Sequence, residues 1–158
     1  MARNAVELPG ATLFYEPDWL DPAAASALFE ALREALPWER HRITVYGRTL
    51  DAPRLSCWIG DAAYAYSGTR FEPHPWPAAL AEVRERLEGE LHAGFNSVLA
   101  NLYRDGNDRL GFHRDSEPEL GPEPLIASIS LGATRRFRLR EREGRGSYGI
   151  DLQHGSLL

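Results

Sequence analysis

Arg135-Arg136-Phe137-Arg138-Leu139-Arg140 alternates charged and apolar side chains from Arg136 onward. A period of two is the signature of a strand with one wet face. Working outward, Ser97 to Tyr103, Leu125 to Leu131 and Tyr148 to Leu152 are similar short segments, separated by turns containing Gly or Pro. Before Gly94 the period changes. Asp21 is placed as an N-cap, with Pro22 at the first helical position. Leu28, Phe29, Leu32 and Leu36 follow at helical spacing, which predicts an amphipathic helix over 22–36. A second helix is expected from about Pro77 to His92, with Leu80, Val83, Leu87 and Leu91 on one face. Pro73, Pro75 and Pro77 lead into it and exclude a central strand there. A short apolar strand, Ala11 to Tyr15, precedes both helices. Helices first and mostly antiparallel strands afterwards give an α+β class, with N-terminal helices packed on one side of a sheet or sandwich.

The 158 residues suit one domain, 1–158, with one core. Hydrophobic residues at 43% and charged residues at 26% are in the globular balance, not the disordered one. No apolar run approaches the roughly 20 residues needed to cross a bilayer. MARNAVELPG lacks the basic start and apolar stretch of a secretory signal, so a cytoplasmic protein is expected. Cys57 is the only cysteine, which excludes an internal disulfide and a cysteine-rich zinc site. A metal would have to be held by His, Asp or Glu. The net charge of −5 weighs mildly against nucleic acid, whose affinity rests on phosphate contacts. Distribution counts for more than the sum. All 18 basic residues are Arg, and Arg135, Arg136, Arg138, Arg140, Arg142 and Arg145 crowd one segment. That segment reads equally well as a solvated strand face.

The strongest local feature is Gly111-Phe112-His113-Arg114-Asp115. In an extended segment His113 and Asp115 point the same way. An imidazole nitrogen and a carboxylate oxygen can then hold one metal from one side. With a distant His they would complete the facial triad of non-haem iron oxygenases, which leaves positions open for a chelating keto-acid and oxygen. As a bare pattern, His-x-Asp also describes a surface His beside a solvated Asp.

The surrounding residues carry a longer pattern. Phe95-Asn96-Ser97-Val98-Leu99-Ala100-Asn101-Leu102-Tyr103-Arg104-Asp105-Gly106-Asn107-Asp108, then His113-Arg114-Asp115-Ser116-Glu117, closely resembles the AlkB family of iron(II)- and 2-oxoglutarate-dependent dioxygenases. Pro124 to Ala133 with Arg135-Arg136-Phe137 does so too. Upstream, Val45-Tyr46-Gly47-Arg48, Pro53-Arg54, Gly60-Asp61 and Tyr64-Ala65-Tyr66-Ser67-Gly68 are most similar to the branch that repairs double-stranded DNA. The resemblance runs from about residue 10 to Leu158. It implies a double-stranded β-helix (jelly-roll, cupin-like) core with the N-terminal helices packed on one sheet.

The resemblance also implies roles. His113 and Asp115 would bind iron(II). Asn101 and Tyr103 would hydrogen-bond 2-oxoglutarate, and an amide and a phenol can donate to its oxygens. Tyr46, with Gly47 and Arg48, falls where the DNA-repair branch carries an aromatic finger. Such a wedge offsets part of the cost of unstacking when a base is flipped. An ordinary strand Tyr is the other reading. Tyr64 and Tyr66 match the strand lining the base pocket, where stacking on an aromatic contributes about 1–3 kcal/mol. Trp58, nearby, reads as core. Ser116 and Glu117 follow the metal pair where the family often has two acidic residues. Ser116 in place of an acid puts fine base preference in doubt, not the iron site. The implied reaction is oxidative dealkylation of N1-methyladenine and N3-methylcytosine in double- or single-stranded DNA, with RNA as a further substrate. A monomer without membrane attachment is expected.

Ser156-Leu157-Leu158 looks like a strand just beginning, so the family's distal iron-binding His and two C-terminal Arg are expected beyond Leu158. Weak iron binding and little turnover are expected of the 158 residues as they stand. His154 is admissible as a third ligand by spacing. In the family pattern it is a non-ligand loop His, hydrogen-bonded to backbone. His41, His74 and His92 read as surface residues. A non-catalytic nucleic-acid binder of the same fold, or a dioxygenase acting on RNA, protein or a small molecule, are the competing readings.

Overall fold

A computed structural model describes residues 4–8, 11–45, 47–61, 64–66, 69–115, 124–141, 144 and 146–158. Its element order is β1 (Asn4–Leu8), β2 (Ala11–Tyr15), α1 (Pro22–Ala35), β3 (Arg42–Val45), β4 (Arg48–Asp51), β5 (Leu55–Gly60), β6 (Tyr64–Tyr66), β7 (Thr69–Phe71), α2 (Ala78–Leu91), β8 (Ser97–Leu102), β9 (Ile129–Ser130), β10 (Arg135–Arg140), β11 (Ser147–Leu152) and β12 (Ser156–Leu157). Among the described residues the strands form six two-stranded antiparallel pairs. No helix there is long and apolar enough to cross a membrane. Two compact units are distinguished, one of Met1–Glu34 with Glu123–Leu158, the other of Ala35–Pro122.

In the first unit Asp21 caps α1. Its Oδ1 accepts from the amides of Ala23 and Ala24 at 3.0 and 2.9 Å, satisfying donors that the helix start leaves orphaned. β2 pairs with β1 over Asn4↔Tyr15 to Leu8↔Ala11. β10 pairs with β11 from Arg135↔Leu152 to Arg140↔Ser147. The Tyr15 hydroxyl donates to the Asp151 carbonyl and accepts from the Gln153 amide, tying β2 to the end of β11. Glu16 and Leu157 exchange both backbone hydrogen bonds. Gly155, at φ +81°, turns the chain so that its carbonyl accepts from the Leu20 amide. A Cβ there would stand 2.7 Å from the Leu20 carbonyl oxygen. Trp19, Leu20, Ala25, Ile150 and Leu157 are buried in this unit.

In the second unit β5 pairs with β8 from Leu55↔Leu102 to Gly60↔Ser97. β5 carries two core side chains, Cys57 and Ile59, at alternate positions. Leu80 and Leu87 of α2 are buried, as the expected apolar stripe requires. α2 ends at His92, whose left-handed conformation (φ 52°) lets its amide cap the Glu88 carbonyl. β3 and β4 form a hairpin in which Val45 pairs with Arg48, and Gly47 in its turn has φ +75°.

Several expectations need correction. The helices do not come first, since β1 to β7 all precede α2. The strand expected over 125–131 shrinks to Ile129–Ser130, and Leu125 and Ile126 are more than half exposed. The dry face expected of β10 is not fully dry, because Phe137 is 39% exposed. The structure is mixed α and β, with two helices and small sheets among the described residues.

Candidate active site

His113 and Asp115 lie in the irregular segment after β8, within the unit Ala35–Pro122. The approach to it is held by local bonds. The Arg104 backbone amide and its Nε both donate to Asp108 Oδ2, at 2.9 and 2.7 Å, and its Nη2 donates to Oδ1 at 2.9 Å. This fork holds the buried Asp108 carboxyl down at about 2, chiefly through the side-chain bond from Arg104 and then the backbone one. The Asn107 amide donates to Asp105 Oδ1 at 2.7 Å, closing the turn. The Arg109 amide then donates to the Pro53 carbonyl at 2.8 Å, which pins the segment to the chain entering β5.

His113 Nδ1 is 2.9 Å from the Gly111 carbonyl oxygen. A carbonyl can only accept, so Nδ1 carries the proton and Nε2 presents a lone pair in the neutral ring. Nε2 lies 3.5 Å from Asp115 Oδ1. Two acceptor atoms so placed can share a cation on their common side. Ligand distances of about 2.0–2.2 Å, as for zinc, set two donors about 3.0 Å apart at a right angle and about 3.4 Å apart at the tetrahedral angle. The observed separation is close to that range. A ligating His that gives its other N–H to a backbone carbonyl has its ring orientation and tautomer fixed in advance. Both side chains are more than a third exposed, so an ion can reach them. Iron(II) fits this nitrogen–oxygen donor pair. Among the described residues no group of three or more His, Cys, Asp or Glu side chains forms a metal cluster.

Asn101 and Tyr103 sit at and just beyond the end of β8, two residues apart, and both are half-buried. Asn101 Oδ1 accepts from Arg54 Nε at 2.7 Å. The β5–β8 register puts Asn101 opposite Ser56, one diagonal step from Arg54. Pro53-Arg54 entered the family resemblance, yet nothing in the sequence marked Arg54 as a partner of Asn101. The contact spans 47 positions.

Gly47 and Arg48 lie at the β3–β4 turn, with Arg48 exposed. Tyr64 and Tyr66 are the ends of β6, which pairs with β7. Tyr46, Ser116 and Glu117 lie outside the described residues. His154 behaves as a loop His. Its Nδ1 accepts from the Gly132 amide at 2.9 Å and its Nε2 is 3.1 Å from Ser26 Oγ, which itself donates to the Pro22 carbonyl. Both ring nitrogens are therefore occupied. His41 and His74 are not isolated surface residues as expected. Their Nε2 atoms flank the Glu39 carboxylate, each at 3.7 Å, and the His41 side chain is only 15% exposed. Cys57 is not a nucleophile, since burial, and then the Glu39 charge, push its thiol up to about 11.

The family model for the 2OG-Fe(II) oxygenase superfamily matches residues 12–158. The human alpha-ketoglutarate-dependent dioxygenase alkB homolog 3 is 38% identical over 152 residues, covering 90% of this chain and 53% of that protein. The human DNA oxidative demethylase ALKBH2 is 37% identical over 149 residues, covering 86% of this chain and 57% of that protein. The Arabidopsis thaliana protein of the same name is 33% identical and covers 99% of this chain and 60% of its own length. The chain thus spans about half the length of the first relatives it matches. With the family model spanning nearly the whole sequence and His113 and Asp115 facing one another, this chain belongs to the AlkB family of the 2OG-Fe(II) oxygenase superfamily.

Proposed function

We propose that this chain carries the iron and 2-oxoglutarate site of an enzyme that oxidatively dealkylates N-alkylated bases in DNA, N1-methyladenine and N3-methylcytosine first. The observation that carries the reading is the pair His113 Nε2 and Asp115 Oδ1 at 3.5 Å, with Nδ1 already committed to Gly111. The relatives' names, a dioxygenase and a DNA oxidative demethylase, support the reaction class and the substrate. A jelly-roll core, the fold of the superfamily, is part of the same proposal.

When bound, iron(II) with 2-oxoglutarate and oxygen supplies the oxidation that turns an N-alkyl group into a hemiaminal, which releases an aldehyde, while 2-oxoglutarate leaves as succinate and carbon dioxide. The protein supplies geometry around that chemistry. His113 and Asp115 hold the ion. The Asn101 amide and the Tyr103 hydroxyl donate to cosubstrate oxygens. Tyr46 fills the gap a flipped base leaves, with Gly47 allowing the tight turn and Arg48 meeting a phosphate. Tyr64, Tyr66, Ser116 and Glu117 line the base site. Alkylated bases that cannot pair flip out at lower cost, which favours them over intact bases.

The test is formaldehyde release from methylated duplex, single-stranded DNA and RNA oligonucleotides. Release, however small in the 158 residues as they stand, is expected to disappear in both His113→Ala and Asp115→Asn. Release that persists in either variant contradicts the reading. A preference for RNA over both DNA forms would move the substrate assignment.

A further inference from the structure

We infer that Arg54 is the positioning residue of the 2-oxoglutarate site, acting through Asn101, an inference that rests on the proposed reading of Asn101. Arg54 is 7% exposed, among the most buried charged groups described. Among the described residues no carboxylate lies within salt-bridge distance of it, and its one side-chain hydrogen bond is Nε to Asn101 Oδ1 at 2.7 Å. A buried guanidinium is costly unless hydrogen bonds or a counter-charge meet it, and among the described residues the Asn101 oxygen is what meets this one.

The chemistry of that one bond has a directional consequence. Arginine has only N–H donors and no acceptor. The Asn101 atom it touches must therefore be the oxygen, and the amide cannot flip without losing the bond. Nδ2 is left as the group to offer, with only a long 3.5 Å approach to the Leu99 carbonyl. Without Arg54 the amide can turn either way, and half of its orientations would present an oxygen to an oxygen-rich ligand. With Arg54 it presents two N–H donors. The buried positive charge adds a field that favours a dianionic keto-acid over a neutral competitor.

The backbone supports the arrangement. The Arg54 amide donates to the Ala52 carbonyl, and the Pro53 carbonyl accepts from Arg109, four residues before His113. The residue that orients the amide and the segment that carries the metal pair are thus anchored to adjacent peptide units.

Calorimetric binding of 2-oxoglutarate to the manganese(II)-loaded protein tests the inference, with manganese(II) affinity measured in parallel. Arg54→Met is expected to weaken 2-oxoglutarate by about 10- to 100-fold, the usual worth of a hydrogen bond to a charged group, with manganese(II) affinity unchanged. Arg54→Lys keeps the charge but not the planar donor and is expected to recover part of the loss. Asn101→Asp keeps the contact with Arg54 but removes the NH2 donors, and should bind 2-oxoglutarate as poorly as Arg54→Met. A merely structural role would lower metal and cosubstrate affinity together, and in Arg54→Lys as much as in Arg54→Met. Equal 2-oxoglutarate affinity in wild type, Arg54→Met and Arg54→Lys overturns the inference while leaving the proposed function standing. Failure of the manganese-loaded wild type to bind 2-oxoglutarate contradicts both. Should Arg54→Met not fold, tight binding by Asn101→Asp alone is enough to overturn it.

Discussion

Asp108 shows how one side chain prepares the site. It accepts three hydrogen bonds from Arg104, and these hold the loop that leads from Tyr103 towards His113. Its carboxyl sits at about 2 against an ordinary 3.8, so the folded state favours the ionised form. A lowered folded value contributes stability above the unfolded value and loses it as pH falls through the folded one. Asp108→Asn should therefore lower the Tm at neutral pH. The gap from wild type should close as pH falls from about 4 to about 2, measured by differential scanning calorimetry. A gap that stays constant over that range would rule out the ionised carboxylate as its source. At the same scale, His113 and Asp115 were legible from their spacing, because two residues apart in an extended segment is a geometric statement. Arg54 was not, because one Arg among 18 carries no pattern, and only the β5–β8 register brings it to Asn101. Glu39, His41 and His74 were missed for the same reason, as His74 joins the other two only through folding.

At the scale of elements, α1 and α2 were readable because caps and a 3.6-residue period are local signals. α1 starts at Pro22 as expected, and Asp21→Ala should destabilise the protein by about 1 kcal/mol in urea unfolding. An unchanged midpoint would show that the two cap bonds are replaced by water at no cost. The hairpins between residues 42 and 71 gave no comparable signal. β4 is exposed along its whole length, Arg48-Thr49-Leu50-Asp51, so no alternation marks it. The strand expected over 125–131 failed in the opposite way. Its first three residues, Leu125-Ile126-Ala127, are apolar, but Leu125 and Ile126 face water and pairing begins only near Ser128, whose amide and carbonyl bond Leu158. Apolar runs report what can be buried, and neighbours decide what is. Gly155→Ala should cost at least about 1 kcal/mol, since a side chain there meets both an unfavourable φ and the Leu20 carbonyl. Thermal unfolding that matches wild type would contradict that reading of the turn.

For the molecule as a whole, each unit has its own buried side chains, and the candidate centre belongs to Ala35–Pro122. Cys57, 2% exposed on β5, reports the integrity of that unit. Its raised thiol and burial predict that iodoacetamide at about pH 8 labels it only as fast as the unit opens, and far faster in denaturant. Labelling at the denatured rate without denaturant would show that β5 is not packed as described. The family was legible in the sequence because several motifs recur in order, whereas base preference rests on residues such as Ser116 and Glu117 whose surroundings are not described. The claim on which everything else depends is that His113 and Asp115 bind one ion. Electron spin echo envelope modulation of the manganese(II)-loaded protein tests it directly. Modulation from an imidazole nitrogen should appear in wild type and vanish in His113→Ala, with affinity also reduced in Asp115→Asn. The same nitrogen signal in His113→Ala, or metal affinity unchanged in both variants, would contradict the assignment.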